Sequence, residues 1–450
     1  MPDTELPVEL PEFVQTTGNP LDAATEWKQT VCPDCGGPAE RETDTMDTFV
    51  DSSWYFLRYV SPGLETAPFD AERGSDWLPV DHYVGGIEHA TMHLIYARFF
   101  TKVLEDIDLL NGVREPFARL LTQGMVRKDG EAMSSSTGNV VSPEPFVEEY
   151  GADTARHFML AAAQPEKAFD WTDDGVQSSY SFLRGLYELA DALPVGAERS
   201  DPPAEHVTRE TAATVAAATT EFEQFRFNHA LQAIEELVSL LRRYAGADAN
   251  TGADAGADRA PTPDQATLTA GVSAAVRLVA PIAPHVAEEA WTALGRDGLV
   301  AEADWPTAEP PASYELERQL IADTRADVRE IIDVAGLRNP DSITIAVAPT
   351  WKHRARNIAT ETEENVVGAV MSDSGLRDRG EAAAEYAKEL AAADYLDTVL
   401  EPAHEQAALE RAAWLLEREF DATVTVCAKA DAPALAADAV PGRPAIDIDA

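Results

Sequence analysis

The stretch Asp81–Phe100 reads DHYVGGIEHATMHLIYARFF, and Leu120–Pro143 reads LLTQGMVRKDGEAMSSSTGNVVSP. The first opens on a short strand-like piece, VDHYVGG, and continues as an apolar segment with helical spacing, HATMHLIYARFFTKVLEDIDLL. The second opens on another strand-like piece, LLTQGMV, and runs into a hydroxyl-rich loop closed by Gly138. Strand, helix, strand is the βαβ rhythm of a nucleotide-binding sheet. A strand ending in Gly85 and Gly86 lets the backbone approach a nucleotide closely, because a Cβ there would collide with it. Glu88 follows where a carboxylate can accept hydrogen bonds from ribose hydroxyls. His89 and His93, four apart, are expected on one helical face. Each feature also has a plainer reading: a glycine pair as a simple turn, and spaced histidines as solvent-facing or satisfied within a core. A metal pair is a third reading, although no third ligand is evident and the HExxH order is absent.

Upstream, DTFVDSSWYFLRYV places Phe49, Ser52 and Tyr55 three residues apart, a spacing that brings them to a common side of a helical turn. An apolar ring, a small hydroxyl and a phenol suit the enclosure of a branched aliphatic side chain with an ammonium end; ordinary core packing is the alternative. Residues 1 to about 45 are broken by proline and glycine and hold one CPDCGGP turn. Cys32 and Cys35 form half of a zinc knuckle, but structural zinc takes four ligands and Cys427 is remote.

Downstream the pattern turns helical. PEPFVEEYGADTARHFMLAAA reads as one amphipathic unit with Ser142 as N-cap. Long helical periods then fill residues 174 to 300 and imply an antiparallel bundle, interrupted by ADANTGADAGADRAPTPD, which reads as a mobile hairpin. Pro281 and Pro284 are expected to kink a helix there, with His285 and Trp291 docking against neighbours. Beyond EPPAS, a helix, the strand SITIAVAP, further helix and the strand ATVTVCAKA imply a small α+β domain.

Composition sets outer bounds. A chain of 450 residues, 45% hydrophobic, buries more than one core. No apolar run of about 18 residues occurs, and the first residues are acidic and proline-rich, which argues against a membrane span or secretory signal. Three cysteines cannot build a disulfide framework. The expected setting is cytoplasmic. The net charge of −44, from 79 acids against 35 bases of which seven are lysine, would ordinarily disfavour nucleic acid. The acids are spread through every segment, however, as on a surface adapted to concentrated salt. At ~1 M salt the Debye length is about 3 Å, so local arginines still reach phosphates.

The whole string GGIEHAxxHLxYxRF, followed by a glycine-closed serine loop, resembles the second half of the catalytic domain of leucyl-tRNA synthetases, a class I family. The resemblance implies an α/β fold: residues 1–172 as the second half of a Rossmann-type catalytic domain, 173–312 as a helical anticodon-binding bundle, and 313–450 as an α+β tRNA-contacting domain. It implies ATP-dependent activation of leucine to leucyl-adenylate and transfer to tRNA(Leu), with ATP and Mg2+ as the nucleotide substrate. Gly85, Gly86, Glu88, Met125, Met133 and Ser135 would bind ATP. Phe49, Ser52, Tyr55, His89 and His93 would line the leucine pocket. Ser134, Ser135 and Ser136 would occupy the catalytic KMSKS-type loop, and Lys352, Arg354 and Arg356, in SITIAVAPTWKHRARN, would touch tRNA, a solvated charged loop being the equal alternative.

The sequence also departs from that pattern. Ala132 and Ser135 stand where the family has the KMSKS lysines, and Thr137 stands where a basic residue often follows. Hydroxyls and backbone N–H groups cradle phosphate without positive charge, and loss of one charged contact to a transition-state phosphate commonly costs about 3 kcal/mol. No HIGH string and no editing insert occur. The chain is therefore expected to be a fragment, a half working with a separate HIGH-bearing partner, or a non-catalytic tRNA-binding relative.

Overall fold

The computed structural model describes residues 7–13, 15–194, 204–246, 263–337, 340–362, 365–393, 396–428, 432 and 434–449. Of the segment read as a mobile hairpin, residues 247–262 lie outside the described residues. The chain divides into two compact units, Met1–Met125 and Val126–Ala450.

In the first unit, β1 (Gln29–Val31) and β2 (Pro38–Glu40) form an antiparallel hairpin around the cysteine turn. Gly36 takes φ +68° there; Cys32 N donates to the Gly37 carbonyl, and Gly36 N donates to the Cys32 carbonyl. α1 (Thr48–Ser52) starts at Asp47, whose carboxylate accepts from Phe49 N at 2.8 Å. It stops where the Ser53 hydroxyl turns back onto the Phe49 carbonyl and Trp54 leaves helical geometry. α2 (Tyr55–Tyr59) begins afresh, so Phe49 and Ser52 do not share a continuous turn with Tyr55.

The expected βαβ unit follows: β3 (Tyr83–Gly86), α3 (His93–Asp106) and β4 (Leu120–Gln123), with the two strands parallel and Gly85 opposite Thr122. α3 begins later than its spacing suggests. Ile87–Thr91 forms a tighter 3-10 turn, and Met92, at φ −125° and ψ −97°, breaks it from the helix. His89 and His93 therefore do not lie on one helical face as expected. The core is Leu57, Phe69, Leu78, Leu104 and Leu110. α3 buries Ala97, Thr101 and Leu104, while Ile95 and Phe99 on its other side stay 57% and 65% exposed.

The second unit opens with β5 (Val126–Lys128) and β6 (Glu131–Ala132), joined by Asp129–Gly130 at φ 55° and 79°, the doubly left-handed turn that fits strand twist. α4 (Pro143–Tyr150) and α5 (Ala152–Ala161) replace the single helix expected, because Gly151 at φ +84° ends the first. The Ser142 hydroxyl donates to Glu144 rather than capping the helix. β7 (Phe169–Asp170) runs parallel to β5.

The bundle contains α6 (Asp173–Asp191), α7 (Glu205–Glu223), α8 (Phe227–Ala245), α9 (Gln265–Val279) and α10 (Pro284–Ala293). Leu186, Leu231, Ile234, Leu237, Leu241 and Val276 fill its centre, as the 3.6-residue period dictates. Pro281 and Pro284 do not kink one helix. They separate two, since Pro281 lies between helices and Pro284 takes the first-turn position where no N–H is needed. α11 (Tyr314–Ala335) leads to β8 (Ser342–Ala346), then α12 (Thr350–Thr360), α13 (Glu381–Ala392), α14 (Pro402–Phe420), β9 (Thr423–Cys427) and β10 (Ala445–Asp449). β8 lies between antiparallel β10 and parallel β9, and Leu320, Val328, Ile343, Ile345, Leu409 and Leu416 form the core there.

Candidate active site

Four groups converge around Tyr83, the first residue of β3, and His93, the first residue of α3. His93 Nε2 lies 2.8 Å from the Ser52 carbonyl, and Nδ1 lies 3.2 Å from the Tyr83 hydroxyl. The Tyr55 hydroxyl lies 3.2 Å from that of Tyr83. A carbonyl only accepts, which assigns the proton of the neutral imidazole to Nε2 and leaves Nδ1 as acceptor. The chain then has one direction: Tyr55 donates to Tyr83, Tyr83 to His93, and His93 to Ser52. Burial pushes the Tyr83 phenol above its ordinary range, and the Tyr55 contact adds to this, so Tyr83 stays a neutral donor.

This chain accounts for Ser52, Tyr55 and His93 together, though not through the groups the sequence suggested. The Ser52 hydroxyl donates to Thr48 at 3.1 Å, and its backbone carbonyl joins the site instead. His93 is buried, so it positions Ser52 and Tyr83. His89 is exposed and meets the His93 ring edge-to-face at 6.0 Å. The Phe49 ring stacks on Tyr96 at 5.7 Å. Tyr83 and Tyr96 are contributions the sequence reading missed. Strand alternation carried a signal for Tyr83, since it shares a face with Gly85 two residues on.

The glycine pair has a local reason. A Cβ on Gly86 would come within 2.9 Å of a Glu88 carboxylate oxygen, and one on Gly85 within 3.3 Å of the His89 ring. The pair thus makes room for the exposed Glu88 and His89 side chains at the strand end. Met125 is also exposed.

The serine loop belongs to the second unit. Asn139 holds it: Oδ1 accepts from Ser134 N at 2.8 Å and from the Thr137 hydroxyl at 2.7 Å, while Nδ2 donates to the Ala132 carbonyl at 3.2 Å. The Ser134 carbonyl takes the N–H groups of Thr137 and Gly138, and the hydroxyls of Ser134 and Ser136 lie 2.7 Å apart. Ser135 and Ser136 are exposed, and Met133 is half-buried. Arg127, on β5, lies 3.6 Å from Asp170.

The basic cluster near residue 352 is corrected in part. Lys352 is buried, with its ammonium donating to the carbonyls of Ala437 and Ala439 at 2.7 and 2.8 Å, and burial lowers its pKa. A charge enclosed in that way cannot reach a phosphate. Arg354 pairs with Asp373 at 2.5 Å, and Arg356 donates to the Asp397 carbonyl at 2.6 Å. Cys32 carries a thiol lowered by N–H contacts from Cys35 and Asp34, the local chemistry of a knuckle. Among the described residues no group of three or more metal-ligating side chains stands together. No described helix is long and apolar enough to cross a membrane.

Residues 8–172 match the family model of class I tRNA synthetases (I, L, M and V), and residues 205–345 match that of the anticodon-binding domain of tRNA ligases. Both matches are to domains of the class I tRNA synthetases. Leucine--tRNA ligase of Halobacterium salinarum is 57% identical over 456 residues, covering 100% of this chain and 50% of that protein. Leucine--tRNA ligase of Geobacter sp. is 45% identical over 347 residues, covering 74% and 40%. The crystal structure of Agrobacterium radiobacter K84 agnB2 LeuRS in a ternary complex with tRNA and LeuAMS superposes with a TM-score of 0.59 at 30% identity, covering 84% of this chain and 45% of that one. The chain belongs to the leucyl-tRNA synthetase family, and it spans about half the length of the curated relatives it matches.

Proposed function

We propose that this chain contributes to ATP-dependent ligation of leucine to tRNA(Leu). In that reaction a leucine carboxylate oxygen attacks the α-phosphorus of ATP and pyrophosphate leaves. A ribose hydroxyl at the tRNA 3′ end then attacks the adenylate carbonyl, and AMP leaves. The observation that carries the reading is β3 itself, which opens on Tyr83 in the ordered Tyr55–Tyr83–His93–Ser52 chain and closes on Gly85 and Gly86 before the exposed Glu88. Glu88 would hold the ribose, and Phe49, Ser52, Tyr55, His89 and His93 would shape the leucine pocket. The hydroxyls of Ser134–Ser136, with the Ser135 N–H, Met125 and Met133, would meet the nucleotide, since the N–H groups of Ser134 and Ser136 bond within the loop. Mg2+ would arrive on the ATP phosphates, whose charge it offsets.

A second chain or segment bearing the other catalytic half is part of this proposal. Among the described residues β3 and β4 pair only with each other, and Ile95 and Phe99 stay exposed on α3. Parallel strands are otherwise found in larger sheets covered on both faces. The non-catalytic alternative is favoured by Ala132, Ser135 and Thr137 standing where the family carries positive charge.

Leucine-dependent ATP–pyrophosphate exchange tests both, with the chain alone and mixed with a HIGH-bearing half. Exchange in the mixture that is lost with Glu88→Ala supports the ligase. No exchange in either sample, with tRNA binding retained, leaves the binding relative.

A further inference from the structure

A cavity of about 620 Å³ opens between α4, α5, α6 and α10 in the second unit, lined by none of the residues of the serine loop. Tyr180, Arg184 and Tyr187, at i, i+4 and i+7, line it from one face of α6. Tyr150 closes another side, its ring edge-on to Tyr180 at 5.8 Å. Both Tyr180 and Tyr187 keep 37% of their surface open. His285 and Glu289 enter from α10. The His285 ring is fixed, since Nδ1 lies 2.8 Å from the buried Asp153 carboxylate, which also takes Val286 N at 2.7 Å. A carboxylate that takes both an N–H of the helix start and the imidazole sets where that ring stands, and its other nitrogen is left for a ligand.

We propose that this cavity takes an unstacked nucleotide of a bound RNA; the inference rests on the tRNA-ligase reading above. Three phenol rings offer π-faces to a planar base, and every base has such a face. Glu289 accepts from exocyclic amines, and the His285 nitrogen accepts or donates at a base edge. One guanidinium, Arg184, already 2.7 Å from Glu188, suits a single backbone phosphate and not a free nucleoside triphosphate. An open, weakly charged pocket holds a base best when the rest of a large ligand tethers it there. Binding led by stacking also fits a chain of net charge −44, because stacking does not depend on displacing counterions.

The test is equilibrium binding of a leucine-accepting tRNA transcript to the full chain across a KCl series. Tyr180→Ala and Tyr187→Ala are expected to weaken it about tenfold or more. The slope of log K against log salt should not change, and Tyr187→Phe should bind like the unaltered chain. Ultraviolet crosslinking of the unaltered complex is expected to map a nucleotide to Tyr180 or Tyr187. If the unaltered chain binds tRNA but both alanine variants bind within twofold of it, or no crosslink reaches either tyrosine, the cavity inference fails and the ligase reading stands. If the unaltered chain binds no tRNA at any salt, both fall.

Discussion

His93 donates from Nε2 to the carbonyl of Ser52 across 2.8 Å, joining the start of a helix to the end of another 41 residues earlier. Both of its ring nitrogens are occupied, so it acts as a bracket between α1 and β3. Replacing it with alanine strands the Ser52 carbonyl and the Tyr83 hydroxyl, and each unsatisfied buried group costs about 1–3 kcal/mol. His93→Ala is expected to lower the unfolding free energy obtained from urea titration by an amount on the order of 1–3 kcal/mol. In a complemented enzyme it should raise the KM for leucine more than that for ATP. His93→Asn, which keeps one donor, should recover part of both.

The serine loop supplies no cation, so charge can be put back. In the pyrophosphate-exchange assay, Ala132→Lys with Ser135→Lys is expected to raise the rate about tenfold or more if this loop faces the β- and γ-phosphates. Asn139→Ala should act in the opposite direction by releasing Ser134 and Thr137, with thermal stability hardly changed.

Two buried histidines make stability pH-dependent. Burial pushes His157 down to about 4; His206 is also pushed to about 4, by burial first and then by Arg325 and Arg411. Glu235 stands 3.4 Å from His157, but burial lowers the imidazole to about 4, so at neutral pH His157 is uncharged and the two do not form an ion pair. Each folded-state pKa lies below the unfolded value of about 6.5, so the unfolded chain takes up the protons first. Stability from these sites is complete above pH about 6.5 and is lost as pH falls toward 4, on the order of 3 kcal/mol per site. Urea unfolding from pH 7 to 4.5 should show a shallower decline in His157→Asn and His206→Asn than in the parent chain.

Glu317 is buried and accepts from Arg209 at 2.8 and 2.9 Å and from Arg411 at 2.7 Å, tying α11 to α7 and α14. Glu317→Ala leaves Arg209 and Arg411 only the more exposed Glu205, at 3.5 and 3.7 Å, and is expected to destabilise by about 3 kcal/mol. Because the carboxylate is shielded from solvent, this loss should persist at high salt. An exposed pair such as Arg98–Glu115 should matter little at any salt. Thermal denaturation at two salt concentrations separates the two cases.

Periodicity and turn chemistry made the βαβ unit, the bundle helices and the glycine-closed serine loop legible, because those depend on neighbours a few residues apart. Gly151, Ser53 and Met92 broke helices that spacing alone had joined, each through a backbone geometry that an apolar pattern does not encode.

What the sequence determined by itself was the order of elements and the residue types assembled at the end of β3. Whether a polar side chain is spent on its own fold was decided only by packing. Lys352 looked like a cation for RNA until two carbonyls 85 and 87 residues away enclosed it, and His285 became a fixed ring only because Asp153, 132 residues earlier, folds against it. Such partners are set by how helices and strands come together, since the free energy of a charge or hydrogen bond depends on the groups that replace water around it.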